Sequence, residues 1–91
     1  MLYPPHPNPV AARTTISLRV LDSRDLAVDL AIFDLRGRRV RQLAAGVLPP
    51  GQHSFSWDRR DGDGRPAAAG TYVLRLIARG EQLTRKIVVV R

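Results

Sequence analysis

From Thr14 onward, apolar and polar side chains alternate residue by residue, and glycine, proline or aspartate cuts the alternation into short runs. A period of two sends successive side chains to opposite faces of an extended chain, so each run has one face to bury and one to leave in water. Ile16, Leu18 and Val20 share one side while Thr15, Ser17 and Arg19 take the other, which predicts a strand. After the turn residues Asp22-Ser23-Arg24-Asp25, a second run from Leu26 to Asp34 aligns Leu26, Val28, Leu30 and Ile32. Leu35-Arg36-Gly37-Arg38 puts a glycine where a tight hairpin needs positive φ, and Arg39 to Leu43 leads away from it. Leu48-Pro49-Pro50-Gly51 is a further turn, after which His53, Phe55 and Trp57 fall on one face. Asp58 to Gly70 is rich in turn formers and reads as a surface loop. Thr71 to Ala78 then turns Tyr72, Leu74, Leu76 and Ala78 inward, and Gly80-Glu81 leads into a last strand from Leu83 to Arg91. Ile87-Val88-Val89-Val90 is apolar on both faces, which suits a central strand or an edge that something else covers. No stretch has helical periodicity, so the expectation is an all-β, antiparallel β-sandwich of six or seven strands.

The chain has 91 residues, enough for one core and too few for a core plus a deep substrate pocket. Residues 1–13 form a proline-rich lead-in: Pro4, Pro5, Pro7 and Pro9 remove backbone donors and exclude helix, while Leu2 and Tyr3 are expected to pack on the sandwich edge. Residues 14–91 are expected to form the sandwich itself. No run approaches the ~20 apolar residues of a membrane helix, and the N-terminus lacks the pattern of a secretory signal. With no cysteine, neither a disulfide nor a thiol nucleophile is available.

The formal charge of +7 comes almost wholly from arginine, Lys86 being the only lysine. Arginines run from Arg13 to Arg91, a spread that reads as a solvated surface. A nucleic-acid surface would need stacking aromatics, and Tyr3, Phe33, Phe55, Trp57 and Tyr72 fall mostly on core positions, so no specific nucleic acid is expected. Asp58, Asp61 and Asp63 with Gly62 and Gly64 resemble part of an oxygen-ligand calcium loop, but a loop whose aspartates bond its own amides explains the same letters. No metal or other cofactor is expected. His6 and His53 are far apart in the chain and no serine stands in an elbow context, so no nucleophile and base assemble, and an enzyme is not expected. Trp57 and Tyr72 read as structural core anchors rather than a sugar platform.

Several segments, taken in order, carry a resemblance to a known family. They are Leu2-Tyr3-Pro4 and Pro7-Asn8-Pro9 leading into Thr15-Ile16-Ser17; Ile32-Phe33-Asp34-Leu35-Arg36-Gly37-Arg38-Arg39-Val40; Leu48-Pro49-Pro50-Gly51; Trp57-Asp58 with Asp61 and Gly64; Gly70-Thr71-Tyr72; and Lys86 near the end. The chain resembles the C-terminal type A sorting domain of the type IX (Por) secretion system and the related FlgD-like immunoglobulin-like domain of flagellar hook-capping proteins. One departure is Asp58-Arg59-Arg60, which lacks the glycine that often follows the tryptophan-aspartate pair. The resemblance implies an immunoglobulin-like sandwich behind an upstream cargo domain, recognised by secretion translocon or shuttle proteins and destined for secretion or the cell surface. An anionic surface polysaccharide is the attachment partner it implies. The resemblance implies Pro7, Asn8, Pro9, Gly37, Gly70 and Lys86 as recognition residues, with Lys86 the one to touch the machinery; a solvated strand lysine, or one whose stem covers apolar surface while its ammonium reaches a carboxylate, explains the same residue. Two other functions remain open: self-association or assembly through an exposed strand edge, and adhesion to anionic surfaces through the arginines.

Overall fold

The computed structural model describes residues 1–91 and contains six strands and no helix. They are β1 (Thr14–Val20), β2 (Leu26–Asp34), β3 (Arg39–Leu48), β4 (Gly51–Trp57), β5 (Gly70–Ala78) and β6 (Glu81–Val89). Every pairing is antiparallel: β1 with β4 in one sheet, and β3-β2-β5-β6 in the other. The alternating apolar residues face one another between the sheets. Ile16, Leu18, Leu30, Ile32, Leu74, Ile87 and Trp57 are all buried. Burying a side chain of this size stabilises the fold by about 1.5–3 kcal/mol, so these positions dominate the stability.

The lead-in takes the place of a seventh strand by serving both sheets in turn. Residues 1–6 run antiparallel along the free edge of β1, with Tyr3 N–H donating to Ser17 C=O (3.0 Å), Thr15 N–H to His6 C=O (2.8 Å) and Arg19 N–H to Met1 C=O (2.8 Å). The chain then crosses to the other sheet over Pro7-Asn8-Pro9, where the His6–Pro7 and Asn8–Pro9 peptide bonds are cis. Val10 pairs in parallel with the end of β6, donating to Val88 C=O (2.7 Å) and accepting from Val90 N–H (2.9 Å). Leu2 and Val10 lie wholly inside the core. The apolar run 87–90 is thus an edge, and the lead-in is what covers it.

The corners follow from local chemistry. At the β2–β3 turn the Asp34 carboxylate accepts the Arg36 and Arg38 amides (2.9 Å each), and Gly37 at φ +85° turns the chain where a side chain would be strained. The β5–β6 hairpin turns on Arg79 and Gly80, both at positive φ, the pattern of a two-residue primed turn. Two details depart from the sequence expectation. β3 extends through Ala44-Ala45-Gly46-Val47 up to the proline turn, and the 58–70 loop sends Ala67 into the core. Trp57 and Tyr72 meet edge to face, ring centroids 5.7 Å apart. Trp57 Nε1–H donates to Arg60 C=O (2.9 Å) and the Tyr72 hydroxyl donates to Ala68 C=O, so both buried rings also hold the loop. Burial pushes the Tyr72 phenol above its ordinary pKa.

Candidate recognition face

Ile87 and Val89 point into the core, so Lys86 and Val88 stand on the outward face of β6. The register places Lys86 opposite Val73 of β5, and Val73 opposite Phe33 of β2, giving one transverse row across three strands. Beside it, the Arg75 guanidinium lies 4.0 Å over the Phe33 ring, a cation–π contact on the sheet surface. Lys86 is exposed and takes part in none of the ion pairs of the chain, all of which use arginine. Its ammonium is therefore free for an external carboxylate, phosphate or sulfate. A flat face with two cations and half-buried apolar side chains can hold an acidic surface.

Asn8 joins the lead-in to this strand through its side chain. Its Nδ2–H donates to Lys86 C=O and its Oδ1 accepts from Val88 N–H, both at 2.9 Å, so the carboxamide stands where a peptide group of a paired strand would stand. Pro7 C=O accepts from the Thr14 hydroxyl at 2.8 Å. Pro9 and Gly70 lie at the same end, Gly70 opposite Val89 at φ +150°. Pro7, Asn8, Pro9, Gly70 and Lys86 thus gather at one end of the β5–β6 edge. Gly37 sits apart in the β2–β3 turn, near Phe33 and Arg75. Phe33, Val73 and Arg75 carry no recognition role in the sequence reading, because only the strand register puts Phe33 and Val73 in a row with Lys86 and Arg75 beside it.

The aspartate loop is committed to its own backbone. The Asp61 carboxylate accepts the amides of Asp63 (2.9 Å) and Arg65 (3.0 Å), which hold its pKa below the usual carboxylate value, the Arg65 amide most strongly. Asp58 accepts the Arg60 amide and pairs with Arg41 at 3.5 Å. No group of three metal-ligating side chains converges here or elsewhere. His53 is half-buried beside Phe55, its Nε2 2.7 Å from Pro49 C=O, and His6 sits on the β1 edge. A cleft of about 340 Å³ opens between the sheets at the Val20–Ala78 end, lined by Met1, Leu18, Leu21, Leu26, Leu76 and Leu83, with the Asp22–Arg79 ion pair at its rim.

The profile of the FlgD Ig-like domain family matches residues 9–81, ending where β6 begins. No curated protein matches the chain. Among solved structures, dimeric latent PorU from Porphyromonas gingivalis aligns over 98% of this chain and 9% of its own, with a TM-score of 0.74 and 24% identity. PorZ of the same bacterium, described as an essential surface component of the type-IX secretion system, aligns over 99% of this chain and 11% of its own, with a TM-score of 0.68 and 22% identity. The alkylpurine DNA glycosylase AlkC of Pseudomonas fluorescens, solved on DNA containing an abasic site analog, aligns over 100% of this chain and 29% of its own, with a TM-score of 0.60 and 24% identity. At these identities the likeness is one of fold, and this chain spans less than a third of each of the three.

Proposed function

This chain belongs to the FlgD Ig-like domain family, and from that premise we propose that it is a non-enzymatic C-terminal module that sorts an upstream cargo through the type IX secretion system. The reading is supported above all by Lys86, an exposed and unpaired cation on the row with Val73 and Phe33, clasped from behind by Asn8. PorZ adds support, since a unit of this fold makes up 11% of a type-IX surface component. In the proposed mechanism the folded sandwich crosses the periplasm with its cargo, and the β2–β5–β6 face docks on an acidic surface of the translocon or a shuttle protein. Lys86 contributes a charge-assisted contact there, and the cargo is released outside or attached to an anionic surface polysaccharide.

The test is a fusion of residues 1–91 behind a periplasmic reporter in a host that has the translocon. Surface display is expected for the intact module and loss of display for Lys86→Glu, with an unchanged melting temperature for the variant. Deleting Ile87–Arg91 should also abolish display, although that change removes core residues as well. Retention of the intact fusion in the periplasm would refute the proposal. The family match favours one other reading, assembly of the hook-capping kind, for which oligomers growing with protein concentration would be the mark.

A further inference from the structure

The two sheets have four edges, and the chain treats them unequally. Residues 1–6 cover β1, and Asn8 with Val10 covers the end of β6. β4 is short and shows water Gln52, Ser54 and Ser56. The outward edge of β3 receives one backbone bond from elsewhere in the chain, Gly62 N–H to Val40 C=O at 2.9 Å, near its N-terminal end. Beyond that point Leu43-Ala44-Ala45-Gly46-Val47-Leu48 carries neither a charge nor a proline, and Val47 is 61% exposed. Both irregularities in the β2–β3 register lie on the Arg39–Ala44 side, so the ladder from Ala44 to Leu48 is regular. Natural edges are ordinarily blunted by charges, prolines, bulges or a covering segment; Leu43 is itself the extra residue of a bulge, and from Ala44 to Leu48 the edge has none of these, with Gly46 at φ +123° within it.

We propose that the β3 edge from Leu43 to Leu48 is a pairing site for an extended, acid-terminated segment of a partner protein, which joins the four-stranded sheet as a fifth strand. Main-chain bonds would give such a strand its affinity, and the flanking charges its identity. Antiparallel pairing is the more stable arrangement and brings the C-terminal end of the incoming strand alongside Arg41 and Arg39. Arg41 is paired with Asp58, and Asp61 and Asp63 line the same hollow, so Arg39, exposed and in no ion pair, is the one cation at that end left to match an acidic residue. A second copy of this chain fits less well, because each copy brings a formal charge of +7. This site is separate from the Lys86 face, and the two proposals stand or fall independently.

The test uses the whole chain, labelled with nitrogen-15, and a peptide of about nine residues. The peptide alternates threonine and valine and ends in glutamates; a control ends in lysines. The amides of Leu43 to Leu48 should shift and exchange more slowly with the glutamate peptide. Binding should be about tenfold weaker for the lysine peptide, and about tenfold weaker again for Val47→Lys, an outward substitution expected to leave the melting temperature unchanged. Shifts confined to β4, β6 or the cleft would overturn the proposal, as would equal binding of both peptides or no shift at millimolar peptide. A doubling of mass by the protein alone, with protection at Leu43–Leu48, would assign the edge to a second copy and overturn the proposed occupant.

Discussion

Asp34 and Asp61 do the same work at two corners of the sandwich. Each carboxylate accepts two backbone amides of its own turn, and in each the bond from the amide four residues on is the largest influence lowering the pKa. A carboxyl whose pKa is lower in the folded chain than in the unfolded one adds stability above the unfolded value, and that stability disappears as pH falls through the folded value. Thermal melts of the native chain should therefore weaken below about pH 4, the ordinary carboxylate range. The double variant Asp34→Asn, Asp61→Asn should be less stable at pH 7 and show a flatter acid limb. An acid limb unchanged in the variant would mean that other carboxyls control it. Single residues also show where sequence reading stops. The alternating letters revealed that Ile16 or Leu74 is buried, and an aspartate-glycine loop bonding its own amides was the expected reading of Asp61, but only the structure names Asp63 and Arg65 as the amides it accepts.

At the scale of elements, β1, β2, β4 and β5 were legible because each has one apolar face, and a period of two assigns that face without knowledge of the neighbours. The second half of β3 was not, since Ala44, Ala45 and Gly46 have weak strand preference and only pairing with β2 extends them. Nor was the crossing of the lead-in, because Pro7-Asn8-Pro9 reads as a turn in any context and its clasp on β6 is made by a side chain. That clasp is measurable. Asn8→Ala removes two hydrogen bonds between exposed groups, each worth about 1 kcal/mol or less. The melting temperature should fall by about 5 °C, and the Val88 amide should exchange faster while those of β2 hold. Unchanged exchange at Val88 would show that Val10 alone secures the edge.

For the whole molecule, the lead-in belongs to the core as much as any strand does. Leu2 and Val10 are buried in the same cluster as Ile16 and Trp57, and each contributes about 1.5–3 kcal/mol. A domain of this size has only about 5–14 kcal/mol of net stability. A shortened chain starting at Thr14 should therefore lose its cooperative thermal transition by circular dichroism, or keep it only well below that of the full chain. A shortened chain that melted like the full one would show the lead-in to be a passenger. Of the candidate recognition face, Pro7, Asn8, Pro9, Gly70 and Lys86 were visible in the sequence, but the row of Lys86 with Val73 and Phe33 was not, because it exists only once three strands are in register.

Because the Asn8 carboxamide grips peptide groups and no side chain, the strand beneath it can change its outward residues without loosening the grip. What stands at positions 86 and 88 can thus be dictated by the surface they meet, while the fastening that holds the tail of the chain in place stays the same.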